Sequence, residues 1–224
     1  MKAVILAAGR GKRMGKLTEE SPKPLLKVGD KTLLGYIIDV LPPAIDEIII
    51  VIGYLGEKIK EYCRQYYPDR KIIYVVQTEL NGTAEAVLLT RPYFKEKERF
   101  VIIYGDEKAT KEQMEKCLSY EFSWLCREMS DPRQSGVATV TPEGRIVEVI
   151  EKPEHPKSNL AAAGVMVVNA DLFQYQPTRH VNGEYFVTSM MDGFIKDHPV
   201  YAVKGIKDVS FSYSEDIVKY GKID

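Results

Sequence analysis

The chain has 224 residues, of which 45% are hydrophobic and 28% are charged, and its formal net charge is −1. This composition suits a globular protein of one large or two small domains, and it provides no overall positive field for nucleic acid. The three cysteines show no paired spacing, which argues against a disulfide framework or a zinc site. Too few apolar residues precede Gly9 for a signal peptide or a membrane span, so we expect a cytoplasmic protein without a membrane partner.

The first predicted element is a short buried strand, residues 2–6, and a loop of small and basic residues follows it. Small residues let the backbone bend tightly, and a bent backbone presents N–H groups that bind anions. The small residues of this loop are Ala7, Ala8, Gly9 and Gly11. Lys12 and Arg13 then add positive charge, so the segment is predicted to bind phosphate.

Strands and helices alternate through the first half of the chain. The prolines on either side of Lys23 hold it in an extended segment and fix its direction. The apolar periodicity predicts helices at 33–41, 56–67 and 111–120, and strands at 47–52, 72–76 and 100–104. An open α/β sheet of this kind binds ligands beyond the carboxyl ends of its strands.

Polar residues follow two of the predicted strands. Gln77 ends the third strand and can both donate to and accept from a nucleobase edge, and Gly82 leaves room for a flat ring. Asp106 follows the fourth strand, where a carboxylate facing a phosphate loop suits Mg²⁺. The same segments also have purely structural interpretations: Asn81 can cap the helix that follows it, and Asp106 can be an ordinary turn aspartate.

The second half has a different pattern. A hairpin is predicted at 137–141 and 146–150, followed by a strand at 165–168, a helix at 185–196 and a strand at 200–203. We therefore predict an α/β fold: a Rossmann-like mixed, mainly parallel sheet sandwiched by helices, with a β-rich acceptor lobe. We expect a single domain, 1–224, with two lobes, 1–130 and 131–224.

The residues point to a nucleoside triphosphate site and to a reaction that needs no protein nucleophile. The three histidines are expected on the solvated surface because each lies in a polar or proline-flanked loop. The histidines are His155, His180 and His198. Catalysis would then consist of positioning and charge neutralisation.

Two motifs resemble the signature of the sugar-1-phosphate nucleotidylyltransferases: the run from Leu6 to Met14, and the Pro22–Leu26 segment. The Glu151-Lys152-Pro153 segment resembles the branch that transfers thymidylyl or uridylyl groups to glucose 1-phosphate. This likeness covers nearly the whole chain. It implies the nucleotide-diphospho-sugar transferase fold and a reaction of an NTP with a sugar 1-phosphate to give an NDP-sugar and pyrophosphate. It also implies that 1–130 is a nucleotide-binding lobe and 131–224 a sugar-phosphate-binding lobe.

The resemblance also implies a role for each matching residue. Those expected to bind the nucleotide are Leu6, Ala7, Ala8, Gly9, Gly11, Lys12, Arg13, Gln77, Gly82 and Thr83. Those expected to act in catalysis are Arg13, Lys23 and Asp106. Those expected to bind the sugar phosphate are Gly136, Glu151, Lys152 and Gly164. Mg²⁺ is the implied cofactor, with Asp106 and Asp208 as its ligands.

Some features qualify this assignment. Ala7 and Ala8 resemble pyrimidine users, which favours UTP, with dTTP next. The segment from Ile206 to Phe211, which contains Asp208, departs from the family pattern. The chain ends without the β-helix of many relatives, and we expect no second acyltransferase activity. Homo-oligomerisation stays open.

Three alternatives stay open from the residues. Gly9, Gly11 and Gly15 also form a loose Gly-rich loop like that of dinucleotide-binding dehydrogenases, although Gly53 stands where ribose binding needs an acid. A cytidylyltransferase for a phospho-alcohol would keep the fold and change the acceptor. A nucleotide-binding homologue without turnover would fit the altered surroundings of Asp208.

Overall fold

The computed structural model describes residues 1–209, 211 and 213–220. The strands of this part of the chain are β1 (Lys2–Ala7), β2 (Lys27–Val28), β3 (Lys31–Thr32), β4 (Glu47–Ile52), β5 (Ile72–Val76), β6 (Arg99–Tyr104), β7 (Ser123–Glu128), β8 (Gly136–Val140), β9 (Ile146–Glu151), β10 (Leu160–Asn169) and β11 (Tyr201–Lys204). The α-helices are α1 (Leu33–Asp39), α2 (Gly56–Tyr66), α3 (Thr83–Leu88), α4 (Lys111–Ser119), α5 (Val187–Asp197) and α6 (Ser214–Tyr220). Short 3₁₀ helices span Lys12–Thr18, Lys23–Leu25, Arg91–Tyr93 and Ala170–Gln174.

One nine-stranded sheet organises the molecule, with β11, β7, β10, β6, β1, β4 and β5 in order across it. β1 lies between β4 and β6 and is parallel to both, and β4 is parallel to β5. β10 is antiparallel to β6 and to β7. The predicted mixed, mainly parallel sheet is therefore confirmed, and the four predicted strands of the first half lie in it side by side.

Helices cover both faces of the sheet because the central strands are apolar on both sides. α1, α2 and α4 contribute Ile37, Ile59 and Met114 to the core on one face. On the other face, α3 and α5 contribute Val87 and Phe194. No helix among the described residues is long and apolar enough to cross a membrane.

The main error of the sequence prediction is β7, which was not predicted. Its sequence, Ser123 to Glu128, has an apolar centre of three residues with polar residues at both ends, and no alternation marks it. It is nonetheless almost fully buried, because its Arg127 is neutralised inside the protein by Glu107. β10 is also longer than predicted: it begins at Leu160 and includes the run of small residues at 161–164.

The β8–β9 hairpin confirms the prediction for the second half. The two strands are antiparallel, and β8 also pairs with β10 through Ala161 and Ala162, which joins the hairpin to the main sheet. α5 packs on β9. This arrangement brings the end of β9 to the edge of the cleft that lies above the parallel strands.

Candidate active site

A cleft of about 910 Å³ lies beyond the carboxyl ends of β1 and β6. Every residue that the sequence predicted for nucleotide binding, catalysis or sugar-phosphate binding lines it. The loop after β1 and Lys23 form one wall, whereas Gly136, Glu151 and Lys152 come from the β8–β9 hairpin on the other side. Asp208 is the predicted site residue that does not line this cleft, although its neighbour Val209 does.

The loop after β1 is shaped by Gly11. This residue has φ +61°, and a Cβ placed on it would lie 3.0 Å from Thr18 Cγ2 and 3.1 Å from Lys23 Cβ. The Thr18 hydroxyl contacts the carbonyls of Gly11 at 3.1 Å and Gly15 at 3.2 Å, which holds the 3₁₀ turn against the loop. The glycine therefore lets the loop approach the segment that carries Lys23.

Three cations of the loop line the cleft and are exposed. Arg13 lies over the ring of Tyr213 at 5.7 Å, and Arg10 lies over the ring of Tyr54 at 5.4 Å. Lys12 is also exposed. These guanidinium and ammonium groups are accessible to an anion that enters the loop.

Lys23 and Asp106 form an ion pair between Nζ and Oδ2 within the cleft. Lys23 begins a 3₁₀ turn after Pro22, and its side chain is 13% exposed, compared with 36% for that of Asp106. The N–H of Gly105 donates to the Leu6 carbonyl at 2.9 Å, which fixes Asp106 beside the first loop. The sequence predicted these two residues for separate roles, and the structure places them in contact.

Gln77 and Gly82 lie together on the side of the cleft nearest β5. The Gln77 side-chain N–H donates to the Gly82 carbonyl at 3.1 Å, which orients the amide. Gly82 has φ +121°, and a Cβ there would lie 2.3 Å from the Tyr185 carbonyl oxygen. The close approach of the Tyr185 backbone thus requires a glycine here, a reason that differs from the room for a flat ring expected from the sequence.

The Gly82→Ala substitution is expected to lower the free energy of unfolding. The backbone conformation alone costs about 1–3 kcal/mol, because it is almost exclusive to glycine. The clash with Tyr185 adds to this cost because α3 and α5 are joined at this point by the bond from Ala84 N–H to the Tyr185 carbonyl. Urea unfolding measures the change. Gly144→Ala is a control that isolates the clash, since its φ is +83° but nothing lies within 4 Å of the added Cβ. Equal losses in the two variants would contradict this explanation.

The acceptor side of the cleft is built around Glu151. The Thr188 hydroxyl donates to Glu151 Oε2 at 2.6 Å, and a Cβ on Gly136 would lie 3.3 Å from the same oxygen. Lys152 has φ +44°, and its Nζ lies 3.7 Å from Glu151 Oε1 and 3.9 Å from the centre of the Phe186 ring. A carboxylate and an ammonium group therefore lie side by side, which suits a ligand with both hydroxyl and anionic groups.

Residues that the sequence did not predict also line the cleft, among them Tyr104, Glu107, Trp124 and Arg127. Tyr104 ends β6, and burial raises the pKa of its hydroxyl, so it stays a neutral donor. Glu107 follows Asp106 directly, so its position beside a predicted metal ligand could have identified it as a site residue from the sequence. The other two lie on β7, which the sequence prediction had missed.

Asp208 lies outside the lining of the cleft. Its Oδ1 accepts from the Ser130 N–H at 2.6 Å and its Oδ2 accepts from the Ser130 hydroxyl at 3.0 Å. These bonds lower the pKa of the carboxyl group. Among the described residues, no group of three or more His, Cys, Asp or Glu side chains is arranged to hold a metal. The role of Asp208 as a metal ligand therefore stays a prediction.

The prediction for the histidines is wrong in two of three cases. His198 is largely buried: it stacks on Phe194 at 4.1 Å, and its Nε2 lies 3.2 Å from Asp171 Oδ2. His180 is half-buried and lines the cleft, with its ring against Phe186. The Asp171 carboxylate and the ring of Phe122, which both pack on His198, are distant from it in sequence.

A mainly parallel sheet with this cleft at the carboxyl ends of its strands is the nucleotide-diphospho-sugar transferase fold. The family model described as nucleotidyl transferase matches residues 2–208, and the chain therefore belongs to this family. The resemblance to sugar-1-phosphate nucleotidylyltransferases is confirmed, and the dehydrogenase alternative is wrong.

Relatives with this family's activities match most of the chain. It is 34% identical to the bifunctional protein GlmU of Methanocaldococcus jannaschii, over 92% of the chain and 49% of GlmU. It is 31% identical to the UTP–glucose-1-phosphate uridylyltransferase AglF of Haloferax volcanii, over 88% of the chain and 84% of AglF. The chain thus spans about half the length of the bifunctional relatives that it matches.

Solved structures share the fold. A UDP-glucose pyrophosphorylase complexed with UDP-glucose superposes with a TM-score of 0.83 at 22% identity, over 98% of this chain and 96% of the other. A putative glucose-1-phosphate thymidylyltransferase from Bacillus anthracis, in complex with a sucrose, gives a TM-score of 0.81 at 23% identity, over 100% and 96% of the two chains.

Proposed function

We propose that the protein transfers a nucleotidyl group from an NTP, with UTP or dTTP favoured, to a sugar 1-phosphate such as glucose 1-phosphate, and releases pyrophosphate. The observation that carries this proposal is the single cleft that holds both the loop after β1 and the Glu151–Lys152 segment. AglF, whose length the chain nearly covers, is named for the same reaction with UTP and glucose 1-phosphate.

The chemistry fits the side chains that face the cleft. The phosphate of a sugar 1-phosphate has a second pKa of about 6, so near pH 7 it is an ionised nucleophile that needs no general base. Lys23 and Arg13 would stabilise the charge that develops on the α-phosphate and on the departing pyrophosphate. Lys152 would orient the attacking phosphate, and Glu151 would accept from a hydroxyl of the sugar.

Asp106 is suited to hold a divalent cation, because Mg²⁺ is usually bound by one or two carboxylates together with substrate phosphates. The ion supplies charge neutralisation between the phosphate groups when it is bound. Asp106 would have to exchange its contact with Lys23 for the cation, and Lys23 would then be available to the nucleotide. Asp208 would join it only after giving up its hydrogen bonds to Ser130.

The nucleotide prediction rests on Ala7 and Ala8, which resemble the pyrimidine users of the family, and on Gln77, whose amide is held by Gly82 in one orientation. In competition binding we expect UTP to bind tightest and dTTP next, with GTP and ATP weaker. A fixed donor and acceptor pair discriminates between base edges. Tighter binding of GTP or ATP than of both pyrimidine nucleotides would contradict this ranking.

A pyrophosphate-release assay with a panel of nucleotides and phosphorylated acceptors tests the proposal. Release with UTP or dTTP and a sugar 1-phosphate supports it. Release with CTP and a phospho-alcohol such as phosphocholine would favour the cytidylyltransferase alternative. Nucleotide binding without release for any pair would favour a homologue without turnover. The cytoplasmic location, the two lobes and the lack of acyltransferase activity stay predictions.

A further inference from the structure

The turn that carries Asp106 is held at both ends by hydrogen bonds. The Gly105 N–H donates to the Leu6 carbonyl at 2.9 Å, which ties the start of the turn to β1. The Glu107 N–H donates to the Tyr104 carbonyl at 2.9 Å and closes the turn. The position of Asp106 therefore depends on where the Glu107 end of the turn is anchored.

The Glu107 carboxylate is buried, and its acceptor capacity is filled by protein donors. Oε2 accepts from Arg127 Nη1 at 3.1 Å and from the Gly164 N–H at 2.6 Å. Oε1 accepts from Arg127 Nη2 and from the Lys108 N–H at 2.8 Å. A carboxylate has about four lone-pair sites, so this one has none left for a substrate or a cation. Glu107 can act only through the groups that it holds.

Arg127 is buried as deeply as its partner. Its Nη2 also donates to the Lys108 carbonyl at 3.0 Å, and a Cβ on Gly205 would lie 2.7 Å from its Cγ. Its Nε has no hydrogen-bond partner in the described part of the chain. A buried ion pair contributes little net stability because desolvation opposes the Coulombic gain, and an unpaired Nε reduces it further. A role in stability alone does not account for this pair.

Glu107 also holds the backbone of Gly164, which lines the sugar-phosphate side of the cleft, here called the acceptor pocket. The register of β10 against β7 shifts between Ala162 and Met166, which leaves backbone groups of the bulge without strand partners. Trp124 Nε1 donates to the Ala163 carbonyl at 2.7 Å, and Glu107 accepts from the Gly164 N–H. Both bulge residues line the cleft.

We propose that Glu107 and Arg127 are positioning residues: the pair fixes the turn that carries Asp106 to the β10 bulge, so that Asp106 and the acceptor pocket keep one relative position. This inference rests on the proposed function, in which Asp106 and the acceptor phosphate meet at the reacting centre. The pair bonds β10 and β7 to the end of β6, and each member would act on the reaction through the backbone that it holds.

The test uses the double variant Glu107→Gln/Arg127→Met, which removes both buried charges and keeps an amide acceptor for Gly164. We expect kcat to fall about 10²-fold, the scale of a 1 Å misplacement at a reacting centre, and KM for the sugar 1-phosphate to rise. The affinity for the nucleotide should not change because the loop after β1 is untouched. Amide hydrogen exchange at Gly164, measured by NMR without substrates, should be faster than in the wild type.

The matched control is Lys2→Met/Glu98→Gln, which removes an ion pair at the opposite end of β6, outside the cleft. It should keep kcat and the Gly164 exchange rate. Equal loss of kcat in both double variants, or wild-type kcat and exchange in Glu107→Gln/Arg127→Met, would overturn the inference. If Glu107→Gln/Arg127→Met does not fold, Arg127→Lys serves instead. Lysine keeps the positive charge but cannot donate to both Glu107 oxygens as the guanidinium does, so kcat should lie between those of the wild type and the control on one side and a loss of about 10²-fold on the other. A wild type without turnover would refute the proposed function, and Gly164 exchange would still test the pair.

Discussion

The Lys23→Ala variant is expected to release pyrophosphate at least about 10²-fold more slowly than the wild type at saturating substrates. The reason is that Lys23 is largely buried in the cleft and, in the proposed reaction, stabilises charge on the reacting phosphates; loss of one donor to transition-state charge costs on this scale. Arg13→Ala is expected to lose about as much. Stability should change little in Lys23→Ala, because the Asp106 carboxylate that it leaves is partly exposed to water.

Lys31→Ala is the matched control for this experiment. Lys31 also pairs with an aspartate, Asp39, at 2.7 Å, but the pair is exposed and lies outside the cleft. The Lys31→Ala variant should release pyrophosphate at the wild-type rate. Near-normal rates in both Lys23→Ala and Arg13→Ala would rule out the proposed catalytic roles of the two cations.

The Asp106→Asn variant is expected to lose nearly all Mg²⁺-dependent turnover while nucleotide binding survives. Two unit charges at 4 Å repel with about 4 kcal/mol at an effective dielectric near 20. A neutral amide, which lacks the negative charge of the carboxylate, holds much more weakly the cation that offsets this repulsion. Asparagine keeps the size of the side chain and can still accept from Lys23. Isothermal titration with the nucleotide, and pyrophosphate release over a Mg²⁺ series, measure the two properties separately.

Comparing Asp208→Asn with Asp106→Asn tests whether Asp208 is a second metal ligand. If its carboxylate leaves Ser130 and joins Asp106 when substrates bind, this variant should lose Mg²⁺-dependent turnover as Asp106→Asn does. An unchanged rate and an unchanged Mg²⁺ dependence would make Asp208 a turn residue that caps Ser130. A wild-type Mg²⁺ response in Asp106→Asn itself would exclude Asp106 as the metal ligand.

The sequence predicted the parts of the fold whose signals are local. β4 and β5 were predicted with the bounds that the structure has, because each is a continuous apolar run that ends at a turn or a polar residue. The residues of the loop after β1 and Lys23 were placed in the cleft for a similar reason, since small residues and prolines restrict the backbone by themselves.

The remaining features depend on partners that are distant in sequence. β7 was missed because its sequence contains Arg127, and an arginine is buried only when an acid neutralises it. That acid is Glu107, which lies in the loop after β6. Gly82 is required by Tyr185, which follows it by about a hundred residues. The hydrogen bonds between Asp208 and Ser130 likewise could not be seen in either segment alone.

The position of β10 in the sheet also determines when the protein can complete its fold during synthesis. β6 pairs with β1 on one side, but its partner on the other side is β10, which begins at Leu160. Until the ribosome has produced that strand, the buried residues Phe100 to Ile103 have an open, hydrogen-bonding edge, which is a template for pairing with other chains. Closing a long loop to bring β10 back also slows folding. Until β10 has been made, the nascent chain is therefore exposed to aggregation at β6, the strand that ends beside Asp106.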